Sequence, residues 1–541
     1  MPRLLLYLHI MLTTFLLIIA LVLLLSIWLN NLSLRIGVPA LLAFLLLGLF
    51  LGNSGVIPIE VDNFDLVQNV CTTALIFIMF YGGFGTRWSA VKGVVVEAGL
   101  LASFGVVLTA VGTGLLCHYV LKWPWEQSMV LGAVVSSTDA ASVFSILRSK
   151  RLGLKNNTAP MLEVESGSND PMANILTLGM LSFFKGTASA GNLAVMLFMQ
   201  IGIGVLAGFG IAYLATKALQ KVNMRGSGYS CLFISAVAIA AYALPDLFGG
   251  NGYLSVYIVG MILGNEDFKE KKPIVNFFDG INELMQVLTF FLIGALVDPK
   301  ELPNDIFPAL MVFAFLLIAV RPAAIFSILT PFRKYSFRQM AFISFVGLRG
   351  ASAIVFAIMC VSGVGNNPVS RHLFNIVFIL VLISIALQGS LLPLMAKWLN
   401  MIDRHNNVLK TFTDYSEDSS MQFSLIEIPE DSTMANRKVK DLHLPKDVLI
   451  ALILRGKEEI IARGDTIILP GDKAIIVTRA YQGTEAIFLE KTVKHGSRRV
   501  GKRIADVPGS GIIILVHRGK ETIIPNGNTV LYEGDHLVLL R

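Results

Sequence analysis

Between about residues 8 and 399 the chain is a succession of apolar runs about twenty residues long, and no other feature narrows its folding as far. A run of that length crosses a hydrocarbon layer of about 30 Å as an α-helix, which satisfies its own backbone where no water can. Thirteen runs are legible, at about 8–30, 35–52, 67–85, 93–118, 127–147, 158–184, 193–219, 228–246, 251–266, 274–297, 306–328, 338–361 and 371–399. The first is too long for a signal peptide and lacks a small-residue cleavage site after it, so it reads as a span. With 54% hydrophobic and 15% charged residues and a mean hydropathy of +0.69, a soluble globular chain and a disordered one are both excluded. The four cysteines (Cys71, Cys117, Cys231, Cys360) lie inside apolar runs, which removes a disulfide framework and a CxxC metal site. The net charge of +7 is expected to mark cytoplasmic loops, not a nucleic-acid partner. The expected fold is an all-α polytopic membrane protein over residues 1–400, followed by a soluble tail; an enzyme is not expected.

Loop charge sets the orientation. Loops after odd-numbered runs carry Arg35; Arg87 and Lys92; Arg148, Lys150, Arg151 and Lys155; Lys217, Lys221 and Arg225; Lys269, Lys271 and Lys272; Arg333, Lys334 and Arg338. Loops after even-numbered runs hold mainly acids, among them Glu60, Asp62 and Asp65, Asp246, and Asp298, Glu301 and Asp305. The positive-inside rule puts the N-terminus outside and the tail in the cytoplasm, with the chain in the cell (inner) membrane.

Ionisable residues inside spans are costly and mark function by default. The fifth run contains Ser136-Ser137-Thr138-Asp139-Ala140-Ala141-Ser142, the sixth Glu163 and Glu165-Ser166-Gly167-Ser168-Asn169-Asp170-Pro171, and the twelfth Gly347-Leu348-Arg349-Gly350-Ala351-Ser352. Asp139, Asp170 and Arg349 each lie eleven or twelve residues into their runs, about 16–18 Å at the helical rise, close to the midplane. Three charges at one depth on three spans read as one site. Glu165, Ser166, Asn169 and Asp170 are expected to form one polar stripe, which Glu163 continues toward the cytoplasmic mouth, and Pro171 frees a carbonyl beside it. Hydroxyls and Asp139 in the fifth run, and glycines around Arg349 in the twelfth, predict two broken helices. Arg349 is expected to pair with Glu165. Runs five and twelve are seven apart, so two six-helix repeats joined by one helix would enter the membrane from opposite sides, as alternating access requires.

These residues resemble the NhaP/NHE-type cation:proton antiporters (CPA1). Glu165-Ser166-x-x-Asn169-Asp170 is similar to their Asn-Asp signature, Ser137-Thr138-Asp139 to the start of their Thr-Asp-Pro break, and Gly347-Leu348-Arg349-Gly350-Ala351 to their Gly-Leu-Arg-Gly-Ala segment. The stretch from Gly252 to Gly260, closing with Gly264-Asn265, resembles a further family segment. Ala140 departs from the pattern by standing where the family has proline. The resemblance implies a homodimer of thirteen-helix protomers and an ion held by Asp170, Asp139, Ser166 and the Thr138 carbonyl. Asn169 and Glu165 would support that site, with Glu165 paired to Arg349. Arg321, before Pro322 in run eleven, resembles a family arginine and is read either as support for the site or as structural.

Hard monovalent cations want oxygen ligands, and a carboxylate in a low-dielectric cavity binds either a proton or a cation. A site that carries one or the other between faces is an antiporter for H⁺ and K⁺ or Na⁺. Because Asn169 is neutral, one titratable group changes hands per cycle, and the family's Asn-Asp members are electroneutral. The rival reading is a ligand-gated cation channel.

After a polar linker (401–420) the tail repeats itself. Arg455 to Asp472 aligns with Arg518 to Asp535 at an offset of 63 residues without a gap. Each copy is similar to the C-terminal lobe of RCK/TrkA-type modules, spanning 421–480 and 497–541, so a small α+β tail is expected. It either binds a small regulator such as a cyclic dinucleotide or dimerises without a ligand; no other cofactor is required. Gly204-x-x-x-Gly208, inside run seven, reads as helix packing and not as a phosphate loop.

Overall fold

A computed structural model of the chain describes residues 2–36, 39–52, 63–150, 152–186, 190–221, 227–266 and 271–403. In the tail it describes 421–430, 432, 434–442, 444, 448–456, 458–479, 488–493, 497, 499–507, 512–518, 521–523 and 525–540. Most of the expected linker, residues 404–420, lies outside the described residues. The chain divides into two compact units, Met1–Ser416 and Glu417–Arg541.

The first unit is helical. Among the described residues eight helices are long and apolar enough to cross a membrane: Leu16–Ser33 within the helix Pro2–Ile36, Phe64–Gly85, Val95–Tyr119, Ala194–Lys221, Gly228–Leu247, Pro273–Leu296, Ile306–Phe332 and Pro368–Trp398. Three shorter apolar helices accompany them, Ala40–Leu51, Gly252–Asn265 and Ala351–Val364. Two polar runs are interrupted as their sequences predict: Trp125–Val134 and Ala140–Ser149 are separate helices, and so are Phe337–Phe345 and Ala351–Val364. The third polar run, Thr158–Phe184, is one helix that continues through Pro171. Three of the long helices contain a five-residue π segment, at Leu101–Gly105, Leu316–Val320 and Ser384–Gln388. Such wide turns re-aim the side chains beyond them.

Close helix packing places the site. A Cβ on Gly260 or Gly264 would overlap the carbonyl oxygens of Phe80 and Phe84, so the backbones of Gly252–Asn265 and Phe64–Gly85 touch. The Phe80 and Phe278 rings, 5.0 Å apart, fill the space beside them and draw in the helix Lys271–Leu296. Gly204 and Gly208 face Asn251 and Ile258, in keeping with helix packing. Phe198, Leu206 and Ile318 stand exposed on outward faces, as a chain solvated by lipid requires.

The second unit holds two four-stranded antiparallel sheets of the same strand order. One is Met421–Glu427, Lys473–Arg479, Val448–Arg455, Glu458–Ile461; the other is Phe488–Thr492, His536–Leu540, Ile512–Arg518, Glu521–Ile523. Ile450, Ile453 and Ile468 fill the first core, and Val516, Leu531 and Leu537 the second. Two expectations are corrected. The helical part of the expected α+β tail is reduced, among the described residues, to the 3₁₀ turns Val439–Asp441 and Ile504–Asp506. The second copy also starts before 497, because Phe488–Thr492 is its first strand. That strand escapes a gapless comparison for a simple reason. Glu427 and Thr492, which open equivalent pairings with Lys473 and His536, are 65 residues apart, whereas Arg455 and Arg518 are 63 apart. A shorter connection before Ile512 absorbs the difference.

The recurring arginines close each sheet onto its Gly-Asp turn. Arg455 donates from Nε and Nη2 to the two Asp472 carboxylate oxygens at 2.9 and 2.8 Å, and from Nη2 to the Ile467 carbonyl at 2.8 Å. Arg518 does the same to Asp535 and the Val530 carbonyl, each at 2.8 Å. Both carboxylates are almost fully buried, and their arginines hold them below the ordinary carboxylate range. A depressed folded value adds stability above the ordinary value near 3.8, and that stability is lost as pH falls through the folded value. Hydrogen-exchange protection of the strand Ile512–Arg518 should therefore hold from pH 7 to 5 and fall below about pH 3.8. Asp535→Asn should lower it by about 1–3 kcal/mol near neutrality and flatten the acid limb; an unchanged limb would remove the clasp from the account.

Candidate functional site

Interrupting a helix in lipid frees backbone groups that must find partners, and at the first break side chains serve the freed carbonyls. Arg349 donates from Nη1 to the carbonyls of Ser136 and Ser137 at 2.9 and 2.6 Å. Ser166 Oγ donates to the Thr138 carbonyl at 2.7 Å, and Asn169 Nδ2 to the Thr138 hydroxyl. The Asp139 amide donates to the Leu348 carbonyl at 2.8 Å, so the two breaks cross and join backbone to backbone. Gly350 makes the crossing possible, since a Cβ there would overlap the Asp139 side chain.

Beside the crossing lies a cavity of about 260 Å³. Asp170, Asp139, Thr138, Ser166 and Glu163 line it, as the sequence predicts for one site. Asp170 is held by the Ser137 hydroxyl, which is 2.7 Å from that of Ser352. Asp139 accepts from the amide and hydroxyl of Ser142 one turn on. The site therefore draws oxygen atoms from both broken helices and from Thr158–Phe184.

Two expectations fail here. Glu165 does not pair with Arg349. It accepts from Arg321 Nη2, with both side chains almost wholly buried, while Arg349 serves the freed carbonyls. Arg321 stands immediately after the π segment Leu316–Val320, whose wide turn precedes it. Nor do Glu165, Ser166, Asn169 and Asp170 make a single stripe. Successive helical residues point about 100° apart, so two rows form. Glu163, Ser166 and Asp170 line the cavity, whereas Glu165 turns to Arg321 and Asn169 packs under Thr138.

The cavity has a wall that sequence reasoning missed. Asp279, Asn282, Glu283 and Gln286 line it from the helix Lys271–Leu296, and Tyr81 donates to Asp279 at 2.7 Å. In sequence, Ser137 and Ser352 stand out only as parts of their breaks. The signal for the missed wall was available: polar residues at i, i+3, i+4 and i+7 in an otherwise apolar run mark one helix face. Tyr257 completes the lining and leaves Gly167 no room for a side chain.

The pairing correction can be tested by thermal unfolding of the purified protein. Arg321→Met alone strands a buried carboxylate and should cost about 3–5 kcal/mol. Adding Glu165→Leu should recover most of that loss, whereas combining Glu165→Leu with Arg349→Met should recover none of the cost of Arg349→Met. Recovery in the second pair instead would reinstate the Glu165–Arg349 bridge.

Comparison with known proteins agrees with this architecture. Residues 18–398 match the family described as sodium/hydrogen exchanger, transmembrane, and residues 423–480 and 488–540 each match the TrkA-C domain. The K(+)/H(+) antiporter NhaP of Alkalimonas amylolytica is 31% identical over 467 residues, covering 86% of this chain and 81% of that one. The K(+)/H(+) antiporter NhaP2 of Shewanella sp. (strain MR-4) is 31% identical over 464 residues, covering 85% and 80%. The solved sodium proton antiporter MjNhaP1 of Methanocaldococcus jannaschii shares the fold, with a TM-score of 0.62 at 23% identity over 70% of this chain and 97% of that one.

Proposed function

From the premise that the chain belongs to the sodium/hydrogen exchanger family, a family of transporters, we propose that it is a secondary-active antiporter exchanging one monovalent cation for one H⁺ by alternating access. One observation carries the reading. Asp170 is a half-buried carboxylate facing a cavity, with hydroxyl partners and, among the described residues, no ion pair. A bare carboxylate in that setting is unstable, so it holds either a proton or a cation. A cation entering would find the carboxylates of Asp170 and Asp139 with the Ser166 hydroxyl and the Thr138 carbonyl, all oxygen donors suited to a hard monovalent ion. Asn169 and Glu165 support these groups from behind, Asn169 through Thr138 and Glu165 through its pair with Arg321. Glu163 and the Asp279 face lie along the cavity wall.

The same reading assigns residues 1–400 to thirteen spans, N-terminus outside and tail in the cytoplasm, arranged as two inverted six-helix repeats. The basic odd-numbered loops support the orientation. The repeat is supported by its pairs: runs five and twelve are both broken, and runs four and eleven both carry a π segment. The protein works as a homodimer in the cell (inner) membrane. K⁺ is taken as the transported cation, in line with the names of the two relatives.

Regulation by the tail is part of the proposal. The residues 421–480 and the second TrkA-C copy form a module that biases transport, with a small molecule such as a nucleotide as its ligand. The support lies in the first unit. Gly153–Leu154, in the loop between the two carboxylate-bearing helices, pairs antiparallel with Ile402–Asp403, where the chain leaves for the tail. The Lys155 amide adds a bond to the Met401 carbonyl at 2.9 Å. A change in the tether is thereby delivered to the loop that joins Asp139 to Asp170.

Everted membrane vesicles containing the chain should dissipate a preformed ΔpH on addition of K⁺, with the same rate when the membrane potential is clamped. Asp170→Asn should lower the rate at least 100-fold. Cation conductance that persists in that variant would support a channel and refute antiport. Truncation after residue 403 and Lys155→Pro, which deletes the bond to Met401, should change the pH profile of exchange in the same direction. A profile moved by truncation and untouched by Lys155→Pro would place regulation elsewhere.

A further inference from the structure

The second break, between Phe337–Phe345 and Ala351–Val364, poses a problem the ion-site residues do not solve. The first half-helix leaves carbonyls without helical partners at its C-terminus, and the second leaves N–H groups free at its N-terminus. Two side chains from the π segment Ser384–Gln388 serve the end of the first half-helix and the turn that follows it. Gln388 Nε2 donates to the Phe345 carbonyl at 3.0 Å. Ser384 Oγ accepts from the Arg349 amide at 3.0 Å and donates to Gln388 Oε1 at 2.5 Å. Ser384 and Gln388 are 0% and 4% exposed, so no solvent substitutes for either. Their spacing of four places both on one helix face, and they form a single hydrogen-bonded bridge that grips the chain at Phe345 and again at Arg349 within the turn.

What the bridge holds is the segment that meets the ion site. Between Phe345 and Arg349 lies Leu348, whose carbonyl receives the Asp139 amide. Arg349 itself extends to the Ser136 and Ser137 carbonyls, and the Ser137 hydroxyl holds Asp170. A hydroxyl and an amide on the last long helix of the first unit are thus linked by continuous short bonds to both carboxylates. Neither residue lines the 260 Å³ cavity.

We propose that Ser384 and Gln388 are positioning residues of the exchange reaction: together they fix the Phe345–Arg349 turn, and through it the separation and orientation of Asp139 and Asp170. The proposal rests on the antiport reading and goes beyond it by assigning a role to side chains that touch no ion. It requires the two to act as one unit, because Ser384 orients its hydroxyl toward Gln388 in order to accept from Arg349. Ser384→Ala leaves the amide of Arg349 without an acceptor in lipid, and Gln388→Leu leaves the Phe345 carbonyl without a donor. In either case the turn relaxes and the carboxylates lose their setting.

The test is K⁺-driven ΔpH dissipation by the full-length chain in proteoliposomes, read as half-saturating K⁺ and pH profile separately from maximal rate, with reconstituted protein quantified. Ser384→Ala and Gln388→Leu should each raise half-saturating K⁺ about fivefold to tenfold and displace the pH profile, with maximal rate per reconstituted protein within about threefold. The double variant should be no worse than the poorer single one, and Ser384→Thr, which keeps the hydroxyl, should return half-saturation to within about twofold. Unchanged half-saturation and pH profile in both single variants would overturn the inference. So would additive effects in the double variant, or a Ser384→Thr as impaired as Ser384→Ala. If a variant reconstitutes poorly, the Thr and double-variant comparisons still decide. A wild-type chain that fails to exchange K⁺ or Na⁺ for H⁺ would instead sink the antiport reading itself, a separate result.

Discussion

The Arg349 guanidinium resting on the Ser136 and Ser137 carbonyls is the contact on which the helical unit depends. A helix broken in lipid leaves backbone groups with no water to turn to, and each costs several kcal/mol if left alone. Two breaks are tolerated here because they cross and answer one another. The second break supplies Arg349 and the Leu348 carbonyl to the first, which returns the Asp139 amide. The glycines around Arg349 reflect the same closeness: Gly350 lies against Asp139 and Gly347 against Arg321, with no space for a Cβ at either. Motif, break and crossing are one constraint seen at three scales.

Charge at the crossing is distributed unequally, and the inequality assigns the roles. Glu165 has a full cationic partner in Arg321, so its charge is balanced inside the protein. Arg349 gives Nη1 to two backbone carbonyls, which neutralises no acid. Asp170 faces the cavity with hydroxyl company, which stabilises a carboxylate without fixing it. On the proposed reading a group so placed is poised between proton and cation, and it lies where the two broken chains and Thr158–Phe184 converge.

Much of this was legible in the chain. The apolar runs gave the helical unit, and equal depth of Asp139, Asp170 and Arg349 gave the site, because depth in a helix is a count of residues. Azimuth was harder. Glu165 and Ser166 are neighbours in sequence and about 100° apart on the helix, so a polar cluster read as one stripe was two rows serving different partners. The choice of Arg349 over Arg321 as the partner of Glu165 failed for a related reason. A π segment shifts the register of the residues beyond it by a fraction of a turn, and nothing in Leu316–Val320, an unbroken apolar pentapeptide, announces it. The Asp279 face was overlooked because its run looked like an ordinary span with acids near one end. The packing of Lys271–Leu296 against Phe80 sets those acids along the cavity. In the tail, the arginine-to-aspartate repeat was visible, but the first strand of the second copy was not, since a two-residue difference in a connection defeats an ungapped offset.

The tail's recurring arginines illustrate how a repeat should be weighed. An arginine that recurs in register in two copies invites a ligand, yet both guanidinium groups are engaged by their own Asp472 or Asp535 and by the Ile467 or Val530 carbonyl. Repetition here maintains the fold of each sheet, one clasp per turn, and a regulator would have to be recognised by other groups. The proposed influence of the tail on transport then needs a physical route, and the pairing of Gly153–Leu154 with Ile402–Asp403 offers one. It joins the exit of the last helix to the loop between the two carboxylate-bearing helices. On the proposed reading, a change there reaches first the segment whose movement would separate Asp139 from Asp170. Coupling through two short strands is easily broken and easily remade, which suits a bias on an equilibrium better than a lock.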